Sequence, residues 1–90
     1  MSTFIITYDL NREVVRPPIV QKIKETYPSW AKLSESSYAV TSSSSPQQIY
    51  NSLKSMLDAN DNLYVITLNR PYFGQGPQNV NKWLESNLTN

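Results

Sequence analysis

The 90-residue sequence contains no cysteine and no histidine. Without cysteine, the chain has no disulfide, no thiol nucleophile and no thiolate metal ligand. Without histidine, Ser-His-Asp and Cys-His catalysis are excluded, and so are most zinc sites and the usual general base near neutral pH. Any chemistry therefore depends on carboxylates, hydroxyls, lysine, arginine or a metal ion bound through oxygen.

Charge and long apolar runs are also scarce. Charged residues make up 17% of the sequence and the formal net charge is +1, which does not by itself mark a nucleic-acid-binding domain. The sequence contains neither an apolar run of about 20 residues nor the pattern of a secretory signal peptide. These absences predict a soluble, cytoplasmic protein that does not contact a membrane.

Short apolar blocks alternate along the chain in a regular order. Strands are expected at residues 3–8, 30–33, 38–41 and 63–68, and helices after Pro17-Pro18, after Ser45 and after Gly76-Pro77. Ser45, Pro46 and Gln48 fit a capping box at the start of the second helix, so the preceding serines need no catalytic explanation. The β-α-β-β-α-β order predicts a single α+β domain over residues 1–90, a ferredoxin-like split sandwich with an extra C-terminal helix.

The first and fourth strands are the most apolar of the predicted sheet. In a ferredoxin-like sheet the first strand is central, which explains why it is apolar on both faces. The fourth strand is at an edge, and an apolar edge strand needs a cover. We expect the C-terminal helix or a second subunit to cover it.

Asp9 follows directly after the first strand. A carboxylate at the end of a central strand can hold Mg²⁺ through oxygen, and a symmetric partner can supply a second carboxylate. The alternative is that Asp9 only ends the strand and caps the turn beside Asn11. Position alone does not separate the two interpretations.

Basic residues are densest in the first loop and the first helix. Arg12 and Arg16 lie close behind Asp9 in sequence, where they can neutralise a phosphodiester, and Lys22 and Lys24 continue the group. Arg70 is a further candidate for binding RNA or DNA. The alternative is an ordinary solvated surface.

The loop that holds both glycines combines Arg70 with Tyr72 and Phe73. Exposed aromatic side chains on a loop can stack on bases or anchor a protein interface. Alternatively, one or both rings fold back and seal the end of the small core. Tyr72 and Phe73 are therefore the candidate interface residues.

Two segments carry a resemblance to a known family. Tyr8-Asp9-Leu10-Asn11 at the end of the first strand and the tail at residues 81–88, together with the order of elements, resemble small ferredoxin-like proteins of the SinR type. These are related to the small subunit of the CRISPR adaptation complex and to the VapD ribonucleases. The resemblance implies a homodimer of apposed sheets with the two Asp9 side chains near the two-fold axis. It also implies that Asp9 is the metal-linked catalytic residue of nuclease members, whereas the CRISPR subunit can instead be a non-catalytic scaffold for duplex DNA.

Two functional hypotheses remain open. The first is a nucleic-acid-associated homodimer, a weak Mg²⁺-dependent endoribonuclease or phosphodiesterase that uses Asp9, Arg12 and Arg16. The second is a non-catalytic inhibitor, regulator or scaffold that binds a protein through its dimer face and the loop at residues 70–76. The first hypothesis uses Mg²⁺ as its cofactor, and the second uses none.

Overall fold

The computed structural model describes residues 1–11 and 16–89, and for Arg16 it describes the backbone alone. The described part contains four strands, three α-helices and, at Lys54–Met56, one 3₁₀ turn. In chain order the elements are β1 (Ser2–Asp9), α1 (Arg16–Thr26), β2 (Trp30–Ser34), β3 (Ser37–Ser42), α2 (Pro46–Leu53), β4 (Asn62–Leu68) and α3 (Gln78–Asn87).

The strands form one antiparallel sheet in the order β2-β3-β1-β4. β1 is therefore an inner strand, as its two apolar faces predict, and β4 is an edge strand. The molecule is a small α+β protein, and this arrangement is compatible with the expected ferredoxin-like fold.

One face of the sheet, here called the core face, packs against α1 and α2. Alternate residues of β1 point to this face, and Phe4, Ile6 and Tyr8 are all buried, as the two-residue period of a strand requires. α1 and α2 each place a stripe of apolar side chains against this face, as the helical spacing of those residues predicts. The buried helical residues of this cluster are Ile19, Ile23, Tyr27, Ile49 and Leu53.

The capping box of α2 is confirmed. The backbone N–H of Gln48 donates to Ser45 Oγ at 3.2 Å, and the backbone N–H of Ser45 donates to Gln48 Oε1 at 2.8 Å. Two amide groups that the first turn of a helix leaves unpaired are thereby satisfied. α2 ends at Leu53 and the 3₁₀ turn carries Met56 toward the core.

The opposite face of the sheet, here called the second face, is covered by α3 on its β2 side. Ala31 and Ala39 are paired across β2 and β3 and are buried; their small side chains form a flat surface on which a helix can lie closely. The C-terminal end of α3 is attached to β1, because Thr3 Oγ1 donates to the Asn87 carbonyl oxygen at 2.6 Å. Trp83 Nε1 donates to Ser29 Oγ at 3.0 Å.

The position of α3 corrects the expectation that this helix covers the apolar edge strand. α3 packs against β2, at the other side of the sheet. The side chains of Tyr64 and Ile66 on β4 keep relative exposures of 63% and 53%. Among the described residues, α3 therefore leaves these side chains of β4 uncovered.

The hairpin between β2 and β3 is tighter than the sequence predicts. The serines of Ser34-Glu35-Ser36-Ser37 suggested a four-residue loop, but Ser34 and Ser37 pair with each other and leave a two-residue turn. Their hydroxyl oxygens lie 2.7 Å apart. The serine side chains thus bond to one another across the turn, which extends both strands.

Candidate functional site

Asp9 is the last residue of β1 and is exposed. It is paired across the sheet with Asn62, the first residue of β4. A small hollow of about 140 Å³ lies at this end of the sheet and is lined by Asp9 and Asn62 together with Thr7, Tyr8 and Tyr64. The geometry leaves the carboxylate accessible from solvent beside a second oxygen-bearing side chain.

The neighbouring carboxylate of Asp61 is used by the protein itself. Its Oδ1 accepts the backbone N–H of Asn11 at 2.7 Å and its Oδ2 accepts that of Asp58 at 2.9 Å. Among the described residues, no three side chains of His, Cys, Asp or Glu type come together as a metal site. Among the described residues that line the hollow, Asp9 supplies the one carboxylate and Asn62 the one amide oxygen.

The predicted basic cluster is described only in part. Arg12 and the side chain of Arg16 lie outside the described residues. Lys22 is half-buried on α1, and the Lys24 ammonium lies 4.8 Å from the ring centroid of Trp30. A cation over an aromatic face is stabilised by the quadrupole of the ring, so Lys24 packs against the protein although it is exposed.

Arg70 is bound to the C-terminal end of α3. Its guanidinium donates from Nε to the Leu88 carbonyl oxygen at 3.1 Å and from Nη2 to the Glu85 carbonyl oxygen. Nη2 also lies 3.1 Å from the Glu85 carboxylate. Arg70 follows the end of β4 that is paired with the start of β1, about 20 Å along the strands from Asp9. The structure does not bring these two predicted site residues together.

Tyr72 completes this group, which we call the Arg70 cluster: Arg70, Tyr72 and Glu85. The Tyr72 hydroxyl donates to Glu85 Oε2 at 2.8 Å, and the guanidinium carbon of Arg70 lies 5.8 Å from the Tyr72 ring centroid. The hydrogen bond to Glu85 raises the pKa of Tyr72. The pKa of Glu85 is lowered, mainly by this hydrogen bond from Tyr72 and to a smaller extent by the hydrogen bond from Arg70.

Phe73 does not seal the core. Its side chain is fully exposed. At Gly74, which follows it, an added Cβ atom would meet no other atom within 4 Å. Beside it lies a cleft of about 360 Å³, here called the apolar cleft, between the loop at residues 69–77, α3 and the second face. Its aliphatic lining residues are Ile5, Leu33, Leu68, Val80, Leu84 and Leu88.

The sequence did not predict the apolar cleft. Helical spacing predicts that Val80, Trp83, Leu84 and Leu88 share one buried face of the last helix, but Val80, Leu84 and Leu88 also line the cleft. The residues of β4 that point to the second face are Tyr64, Ile66 and Leu68, and they extend the cleft surface toward the edge of the sheet. The unusual apolar content of β4 was the available signal.

None of the helices in the described part of the chain is both long enough and apolar enough to cross a membrane.

The described part of the chain has three candidate surfaces: the hollow at Asp9, the Arg70 cluster, and the apolar cleft with its extension over β4. No protein-family model and no curated protein matches this chain.

Proposed function

We propose that this chain is a ferredoxin-like binding module that acts as a homodimer and holds a protein partner in its apolar cleft. The strand order β2-β3-β1-β4, with α1 and α2 on one face, supports the ferredoxin-like assignment. The observation that carries the function is the full exposure of Phe73 at the rim of the cleft. Aromatic side chains that are exposed in the free protein and become buried in an apolar pocket on binding are typical of the centres of protein interfaces.

The dimensions of the cleft fit this role. A volume of about 360 Å³ is at the lower end of the range for ligand pockets and accommodates one or two large apolar side chains of a partner. The cleft wall is stable on both sides because α3 packs against β2 and the loop is bound to α3 by the Arg70 cluster. A partner therefore meets a preorganised surface, which lowers the entropic cost of binding.

Three of the described cations give little support to a nucleic-acid surface. Lys32 pairs with Glu35 at 2.9 Å, Arg70 pairs with Glu85, and Lys24 lies over Trp30. A phosphate-binding surface needs several cations that face the ligand together. These three side chains instead contact groups of their own chain.

A photocrosslinking experiment tests the proposed function. Phe73→p-benzoylphenylalanine places a reactive ketone at the rim of the cleft, and the same replacement of Gln47, which is exposed on α2, is the control. We expect one protein adduct in cells of the source organism from position 73 and none from position 47. Excess wild-type protein should suppress the adduct, whereas excess Phe73→Ser variant should not. Equal adducts from both positions, or adducts only between two copies of the chain, would contradict the proposal.

A second candidate function is supported by the accessibility of Asp9. Mg²⁺ is commonly held by one or two carboxylates, with water and substrate phosphates as the other ligands, and Asp9 with Asn62 supplies oxygen donors of this kind at the end of β1. A bound Mg²⁺ would supply charge neutralisation at a phosphodiester. The predicted roles of Arg12, Arg16 and Lys22 in binding RNA or DNA belong to this hypothesis.

Cleavage of labelled single- and double-stranded RNA and DNA tests the second candidate. If it holds, the wild-type protein cuts a substrate with Mg²⁺ and not with EDTA, and Asp9→Asn lowers the rate by orders of magnitude because the negative charge that attracts the cation is lost. Arg12→Ala should weaken binding and reduce its salt dependence by about one phosphate contact. Cleavage that survives Asp9→Asn, or wild-type protein that neither binds nor cuts, would contradict it.

A further inference from the structure

The outer edge of β4 is unprotected in the described part of the chain. No strand lies on this side of β4, and its backbone hydrogen bonds to other described residues are all within the sheet. The strand is seven residues long and contains no charged residue, no proline and no glycine. Proteins normally protect a long apolar edge with a charge, a proline, a bulge or a covering element, because its free N–H and C=O groups bind other strands.

The opposite edge of the same sheet has each of these protections except proline. β2 is five residues long and carries Lys32, whose ammonium is 2.9 Å from Glu35. Its pairing with β3 shifts register between Lys32 and Ser34, and α3 packs against it. The two edges therefore differ in length, in charge, in register and in cover, and each of these differences leaves β4 the less protected edge.

We propose that the strand that occupies this edge is β4 of a second copy, in antiparallel orientation about a two-fold axis at Val65. This inference rests on the homodimer of the proposed function and specifies its contact. The result is one continuous eight-stranded sheet. In an isologous contact the same segment of each copy meets the other, so the segment must be able to pair with its own sequence. β4 meets this requirement because it has no charged residue and brings no like charges together.

The side-chain pairs support this register. With the axis at Val65, Tyr64 of one copy lies opposite Ile66 of the other on the second face, an aromatic and a β-branched side chain that pair favourably across strands. Val65 meets its own copy on the core face, and Leu63 meets Thr67. The two exposed large apolar side chains of β4, Tyr64 and Ile66, thus contact each other twice across the axis. This pairing accounts for the apolar character of β4 that α3 leaves uncovered.

Cysteine scanning tests the register directly, because the chain has no cysteine of its own. Only the residue on the axis meets its identical copy at the Cα separation of about 4.4–6.8 Å that a disulfide needs. We expect Val65→Cys to form a covalent dimer on mild oxidation. Tyr64→Cys and Ile66→Cys should each react weakly alone but efficiently when the two variants are mixed. Lys32→Cys, on the protected edge, is the control and should form no covalent dimer.

The other outcomes of the scan are equally decisive. A stronger self-coupling at position 64 or 66 than at position 65 would overturn the register, and the absence of disulfide dimers at residues 64–66 would overturn the edge pairing. Efficient coupling of Asp9→Cys would show instead that the sheets are stacked face to face, since edge pairing keeps the two Asp9 residues far apart. A protein that dimerises in solution without coupling at β4 overturns only this inference. A monomeric protein overturns the proposed homodimer as well.

Discussion

The guanidinium of Arg70 lies 3.1 Å from the carboxylate of Glu85 and joins the chain just after β4 to the last turns of α3. The same side chain donates to the carbonyl oxygens of Glu85 and Leu88, and the Arg70 backbone N–H donates to the Thr89 carbonyl oxygen at 2.7 Å. A helix leaves its last four carbonyl groups without intrahelical partners. Arg70 therefore caps α3 and fixes one wall of the apolar cleft.

Removing this cap should destabilise the protein. For Arg70→Ala we expect a loss of about 1–3 kcal/mol in the free energy of unfolding, because carbonyl groups that the guanidinium now satisfies lose a charged donor. Urea unfolding followed by tryptophan fluorescence measures the change. Lys82→Ala, which removes an exposed cation from the same helix, is the matched control and should stay within about 0.5 kcal/mol of wild type. Equal losses in the two variants would contradict the capping role.

The Arg70 cluster should also make stability depend on acid pH. The Tyr72 and Arg70 hydrogen bonds lower the pKa of Glu85 from its ordinary value of 4.5. A carboxyl group whose pKa is depressed by folding stabilises the protein above its unfolded-state pKa, and this contribution is lost as the pH falls through the folded-state pKa. We expect the difference in unfolding free energy between wild type and Glu85→Gln to be largest near pH 7 and to shrink toward pH 3. A difference that does not change with pH would contradict this assignment.

The close contact between α3 and the sheet should not tolerate a larger side chain at Ala39. Ala39 is fully buried at the centre of β3 and is paired with Ala31 and Ile5. Ala39→Leu adds three carbon atoms in this confined space and should cost about 1–3 kcal/mol. The same substitution at Ala59, which is exposed in the turn before β4, is the control. Equal unfolding midpoints for the two variants would show that α3 is not packed on this surface.

Trp83 should contribute to the docking of α3 by packing and by its hydrogen bond to Ser29. Trp83 is half-buried, so Trp83→Ala should cost about 2–3 kcal/mol, below the 3–5 kcal/mol of a fully buried ring. Trp83→Phe retains most of the packing but loses the indole N–H, and should cost about 1 kcal/mol. Thermal and urea unfolding measure both values. A Phe variant as unstable as the Ala variant would mean that the hydrogen bond dominates.

Local patterns predicted the elements of this fold well. The stripes of α1 and α2, the central position of β1 and the Ser45 capping box depend on residues that are near one another in sequence, and all are confirmed. The stripe of α3 was also predicted. The sequence did not predict the side of the sheet on which α3 docks. The small side chains of Ala31 and Ala39 favour a helix at this side, and they become neighbours only when β2 pairs with β3.

The candidate site was less predictable for the same reason. Arg70 was selected as a cation for nucleic acid, but its partners include the carbonyl oxygen of Leu88, 18 residues away. Asp9 was correctly placed at the end of β1, and its role depends on what a second copy brings near it, which one sequence cannot determine. Tyr72 and Phe73 were paired as interface candidates, yet only Phe73 is fully exposed while Tyr72 is bound to Glu85.

The central claim is that the uncovered surface of β4 is an interface between two copies of this chain. Sedimentation equilibrium between about 10 and 100 µM, a range in which a specific dimer of micromolar affinity is populated, tests it most directly. We expect the wild-type protein at twice the chain mass of 10.3 kDa. Ile66→Lys should be monomeric, because it places a charged ammonium against the Tyr64 ring of the other copy on each side of the axis, whereas Leu33→Lys at the opposite edge should remain dimeric. A wild-type protein that sediments as a monomer throughout this range would contradict the account.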